Sequence, residues 1–107
     1  MPKLVLITAR GVKLVDLSGG RLTIGRSSKC DLSLDRPLLS RIHAVLSTGE
    51  DGFSIRDLDS RNGTYVNGER IDRTPLRHHD TIRIGDVEMR FLDAPVTSQP
   101  ELLSLEA

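Results

Sequence analysis

The sequence predicts an all-β protein, a β-sandwich of two antiparallel sheets. Apolar and polar residues alternate with a period of two almost everywhere up to residue 92, as in strands with one buried face. Turn signals recur at short intervals, at Gly19-Gly20, Gly49 to Gly52, Asn67-Gly68 and Gly85-Asp86. No segment before residue 93 sustains a helical period. Many short strands between closely spaced turns make a sandwich the natural architecture.

KLVLITA (3–9) reads as the first strand, and KLVDL (13–17) as its hairpin partner across Arg10-Gly11-Val12. GRLTIG (20–25) follows the Gly19-Gly20 turn. LSLD (32–35) is short and precedes a loop holding Pro37. HAVLST (43–48) and GFSIRDL (52–58) flank a GEDG turn. TYV (64–66) and ERI (69–71) flank Asn67-Gly68, the strongest short hairpin signal, because both residues accept the positive φ of a two-residue turn. TIRIG (81–85) and VEMRFL (87–92) meet at Gly85-Asp86. One domain over 1–93 follows. From Ala94 two prolines and small polar residues lead to Leu102, Leu103 and Leu105. Residues 94–107 read as a flexible C-terminal tail, with 101–107 either a short docked helix or without order.

A chain of 107 residues supports one hydrophobic core, not two. Its 15 basic and 15 acidic residues give a formal net charge of +0. No overall field therefore attracts nucleic acid or an anionic membrane. Phe53, Tyr65 and Phe91 are the only aromatic residues, too few for a base-stacking platform. Cys30 is the single cysteine, so no internal disulfide forms. The longest N-terminal apolar run, Leu4 to Ile7, is too short for a signal peptide or a membrane span. The cytoplasm is the simplest location. Arginine far outnumbers lysine, and its planar fork suits phosphate, although codon bias explains the composition more simply.

The function of a sandwich usually lies in loops at one end, here 25–31, 36–42 and 58–63. In the first loop Gly25 permits a sharp exit from the sheet, and Arg26 projects at once from that fixed base, followed by Ser27. In the second, Ser40 and His43 stand three residues apart where the loop enters a strand. A catalytic serine would need an elbow and an orienting acid, and no GxSxG is present. Extended geometry would point Ser40 and His43 to opposite faces. A histidine that braces the loop through backbone hydrogen bonds is the better reading. Cys30, His43, His78 and His79 lack metal-site spacing, so no metal and no cofactor is expected. In the third loop Asn62-Gly63 precedes a strand, and asparagine offers both a donor and an acceptor to a peptide backbone.

Singly these loops are ordinary turns. Together they present Arg26, Ser27, Ser40, Arg41, Arg61 and Asn62, a set of donors without an acid. Such a set suits a small anion, in particular a peptide-borne phosphate. The chain has no Walker motif and no GxGxxG, so a nucleotide is not indicated.

At this point the sequence resembles the forkhead-associated (FHA) domain family. The resemblance runs through GR at 25–26, CDLSLD at 30–35, SRIH at 40–43, DLDSRNGTYVNG at 57–68 and the L..HDTIRIG pattern at 76–85. These occur in the family's order and spacing across Lys3 to Leu92. The resemblance implies an eleven-stranded sandwich that binds phosphothreonine peptides through loops at one end. By position, Arg26 and Ser40 would contact the phosphate and Arg41 the phosphate or peptide. Asn62, with Arg61 beside it, would bond the peptide backbone. Gly25 and His43 match structural positions, and Gly63 would support the same site. One departure is His79-Asp80, where the family often has Gly-Asp, so that turn is expected to differ in shape.

The expected partner is a phosphothreonine-containing protein or peptide, a Ser/Thr kinase or its substrate among them. The alternative is an FHA-like scaffold that binds its partner independently of phosphate. An enzyme is not expected, since no assembled acid, base and nucleophile is visible. Thr97 in the tail, if phosphorylated, is a candidate for self-recognition by the same loops.

Overall fold

Alternation places the first core residues: in β1 (Lys3–Thr8) Leu4 and Leu6 are buried while Val5 and Ile7 face outward. The same pattern recurs through the computed structural model, which describes residues 2–93. Ten further strands follow: β2 (Gly11–Asp16), β3 (Arg21–Gly25), β4 (Leu32–Ser33), β5 (Ala44–Gly49), β6 (Gly52–Asp57), β7 (Thr64–Val66), β8 (Glu69–Ile71), β9 (Arg73–Pro75), β10 (Thr81–Ile84) and β11 (Val87–Leu92). They form a six-stranded sheet ordered β2-β1-β11-β10-β7-β8 and a five-stranded sheet ordered β4-β3-β5-β6-β9. Leu4, Ile82, Ile84, Met89 and Phe91 of the first sheet pack against Ile24, Leu46 and Ile55 of the second. Phe53 and Phe91 meet across the sandwich with ring centroids 5.8 Å apart.

Three local features depart from the sequence reading. The first hairpin turns at Ala9-Arg10, because Thr8 pairs with Gly11, so Gly11 and Val12 belong to β2 and not to the turn. Gly11 takes φ +128° there, which glycine allows without a Cβ clash. β9 carried no alternating apolar signal. It is Arg-Thr-Pro at a sheet edge, where a proline removes no ladder hydrogen bond. β4 pairs with β3 in parallel, an exception to the antiparallel pattern. The His79-Asp80 turn expected from the sequence is present: His79 adopts φ +78°, and the ring centroids of His78 and His79 come within 3.9 Å. The readings of 94–107 as a tail, of 101–107 as a helix and of Thr97 as a phosphosite fall outside the described residues.

Candidate functional site at the loop end of the sandwich

The loops after β3, β4 and β6 converge at one end of the molecule. Backbone hydrogen bonds join the first two: Arg26 N–H donates to the Ser40 carbonyl and Ser27 N–H to the Arg41 carbonyl, each at 3.0 Å. His43 N–H donates to the Ile24 carbonyl at 2.8 Å. This close approach explains Gly25. A Cβ there would lie 2.2 Å from the Arg41 carbonyl oxygen, so any other residue would force the two loops apart.

His43 is fully buried and links the second loop to the third. Its Nδ1 accepts from Ser40 N–H at 3.1 Å, so that nitrogen carries no proton. Nε2–H therefore donates to the Gly63 carbonyl at 2.9 Å. The Ser40–His43 segment folds back as a turn, which brings the Ser40 amide, not its hydroxyl, to the imidazole. The hydroxyl oxygen instead accepts from Arg61 N–H at 3.0 Å. Its own proton has no acceptor among the described residues.

The third loop is wired from within. The Asp57 carboxylate accepts from Ser60 Oγ at 2.5 Å, Thr64 Oγ1 at 2.7 Å and Ser60 N–H at 3.1 Å. Burial pushes the Asp57 carboxyl up, but the hydrogen bonds from Ser60 and Thr64 outweigh it and hold the group below the ordinary carboxylate range. Ser60 Oγ also accepts from Gly63 N–H at 3.0 Å. Gly63 is buried with φ +86°, and the Arg70 side chain covers the space a Cβ would need.

These contacts enclose a cavity of about 300 Å³ lined by Arg26, Pro37, Leu38, Leu39, Ser40, Arg41, Arg61 and Asn62. Five of the six donors singled out in the sequence thus line one cavity. Ser27 does not; its hydroxyl caps the Lys29 amide at 3.1 Å. The lining contains three guanidinium groups and no carboxylate. Arg26 Nε donates to the Leu39 carbonyl at 3.2 Å, which leaves both terminal nitrogens without partners among the described residues. Arg41 and Arg61 make no side-chain hydrogen bond or ion pair within those residues. Asn62 Nδ2 donates to the Leu38 carbonyl at 2.7 Å, and its Oδ1 has no partner there. Among the described residues no group of three His, Cys, Asp or Glu side chains could hold a metal ion.

The sequence reading missed the supports behind the cavity. Arg36 forms an ion pair with Asp86 in the β10–β11 turn, and a Cβ on Gly85 would collide with Leu38 and Leu39. The turn therefore backs the 36–40 loop. No local signal joins residues 50 positions apart. The Asp57-x-x-Ser60 spacing, by contrast, is a local turn signal that was available.

Comparison with known proteins agrees with this architecture. The FHA domain model matches residues 22–85, more than half of the sequence, and the chain belongs to the FHA domain family. It is 38% identical over 88 residues to the ABC transporter ATP-binding/permease protein Rv1747 of Mycobacterium tuberculosis, covering 82% of this chain and 10% of the transporter. It is 40% identical over 73 residues to the oxoglutarate dehydrogenase inhibitor of Corynebacterium efficiens, covering 68% of this chain and 51% of that protein. The chain thus spans a tenth of one relative and about half of the other. A solved structure from work on phosphothreonine-dependent FHA domain interactions superposes with a TM-score of 0.81 at 28% identity, covering 89% of this chain and 98% of its own. No helix among the described residues is long and apolar enough to cross a membrane.

Proposed function

We propose that the loop-end cavity binds a phosphothreonine peptide and that the protein recruits or regulates phosphorylated partners in Ser/Thr kinase signalling. The observation that carries this reading is three arginines with no carboxylate partner among the described residues, around one cavity lined by no acid, in a chain of formal net charge +0. A phosphate ester carries roughly −1.5 to −2 charges at neutral pH and three strong acceptor oxygens. The terminal nitrogens of Arg26 and the proton of Ser40 Oγ meet that group, with Arg41 at its side. Each hydrogen bond to a charged group is worth about 1.5–3 kcal/mol. Two or three of them, less the cost of ordering the peptide, fit micromolar affinity, about −8 kcal/mol. Asn62 Oδ1 and its second amide proton take the peptide backbone beside the phosphothreonine, with Arg61 adjacent. Pro37 and Leu38 give the threonine methyl an apolar contact.

Gly25, His43 and Gly63 position these groups. The site binds and does not catalyse: the His43 ring holds the Ser40 amide, so it is not placed to take a proton from the Ser40 hydroxyl. A free, buried Cys30 fits the reducing cytoplasm.

Fluorescence anisotropy against peptide pools with a fixed phosphothreonine, phosphoserine or unmodified threonine tests the reading. The phosphothreonine pool is expected to bind selectively. Arg26→Ala is expected to remain folded and to weaken that binding by about a hundredfold or more, the loss of two charged hydrogen bonds. Equal binding of all three pools, or normal binding by folded Arg26→Ala, would overturn it in favour of a phosphate-independent scaffold.

A further inference from the structure

The outer face of the six-stranded sheet carries an apolar patch that the sandwich leaves uncovered. Register pairs Val5 with Leu14 and Ile7 with Val12, so these four side chains stand together on the solvent side of β1 and β2. Val12 is 67% exposed and Leu14 63%. Beside them on the same face lie Lys3, from β1, Asp16, from β2, and Glu88, Arg90 and Leu92, from β11. An exposed cluster of this kind marks an interaction surface.

We propose that residues 101–107 of the same chain dock on this patch. Position favours that occupant. β11 ends at Leu92, which pairs with Lys3 on the patch-bearing strand β1. From there the far edge of the patch lies about 10 Å across two strands and about 13 Å along them, roughly 17 Å in all. Residues 94–100 reach about 23 Å when extended. Chemistry favours it as well. ELLSLEA supplies Leu102, Leu103 and Leu105 for the apolar side chains. The rim holds Lys3 and Arg90 beside Asp16 and Glu88, so its charge is balanced and the leucines carry the match. A second copy pairing along the β2 edge is disfavoured. Lys13 shares the inner face with Leu6, and an inward-pointing charge on an edge strand blocks edge-to-edge pairing.

The test uses the full ¹⁵N-labelled chain and needs no phosphopeptide, so its outcome is separate from that of the binding reading. Wild type is compared with Leu102→Ser/Leu103→Ser/Leu105→Ser and with Val12→Thr/Leu14→Thr, which puts strand-favouring β-branched residues at both positions of β2. Docking predicts that the leucine variant shifts the amide resonances of Val5, Ile7, Val12 and Leu14. Both variants should reduce the heteronuclear NOE of residues 102–106 from ordered values to those of a free chain. The wild type should sediment as a monomer. Unchanged β1 and β2 resonances in the leucine variant would overturn the proposal, as would free-chain values for 102–106 in the wild type. A dimer whose dissociation on dilution restores the variant spectrum would overturn it in favour of a second copy.

Discussion

His43 shows how one buried side chain joins two loops. Its ring spends both nitrogens on backbone groups, Ser40 N–H and the Gly63 carbonyl. His43→Ala leaves both unpaired beside a new void. The expected cost is about 2–5 kcal/mol, a fall in melting temperature of about 10 °C or more for a domain of this size. Thermal unfolding checks this, and a variant that melts with the wild type would refute the brace. His79 makes the opposite case. Its φ of +78° strains a side-chain-bearing residue by about 1–2 kcal/mol. His79→Gly removes that strain and gives back about 0.5–1 kcal/mol in unfolded-chain entropy. The His79 N–H to Phe91 carbonyl bond, at 2.8 Å, needs no side chain. The variant is expected to melt a few degrees higher, and one that melts lower would show that the ring contact with His78 outweighs the strain.

At the scale of elements, the β6–β7 loop owes its shape to Asp57, which gathers Ser60 and Thr64. The folded-state pKa of Asp57 lies below its ordinary value of 3.8, so the carboxylate stabilises the fold fully above about that pH. That contribution is lost as pH falls through the lower folded value. Asp57→Asn is expected to cost about 1–2 kcal/mol at neutral pH, with the gap to wild type closing as pH falls below the folded value. Denaturant titrations across that window measure the convergence, and a constant gap would contradict it. The elements around this loop show what the sequence could carry. The β7–β8 hairpin that follows it was legible, because TYV and ERI pair about an Asn-Gly turn, and β7, β8 and β11 lie where the pattern put them. β9 was not legible, since Arg-Thr-Pro has no apolar period and is held by β6 alone. The five donors that line the cavity were legible as a set of residue types on separate loops. Their backing by Arg36, Asp86 and Gly85 was not, because it depends on which turn meets which loop once the sheets have closed.

At the scale of the whole molecule, a formal net charge of +0 coexists with a cavity that holds three arginines and no acid. Charge of that kind acts over short range. The Debye length is about 10 Å at 0.1 M salt and about 3 Å at 1 M, so added salt screens the phosphate contacts once formed, while little long-range field exists to be screened before encounter. The association rate is therefore expected to stay in the ordinary range of about 10⁵–10⁷ M⁻¹s⁻¹ and to change little with salt, and the dissociation rate is expected to rise. Acid acts through the ligand. Arginine stays protonated throughout, whereas the phosphate takes up its second proton near pH 6. Affinity is thus expected to be constant above about pH 7 and to fall as pH drops through about 6. A phosphonate analogue of higher second pKa should move that midpoint upward by the same amount. Stopped-flow and equilibrium binding from pH 5 to 8 separate the two effects. A midpoint that ignored the ligand's pKa would place the titrating group on the protein and remove the arginine cavity as the source of affinity.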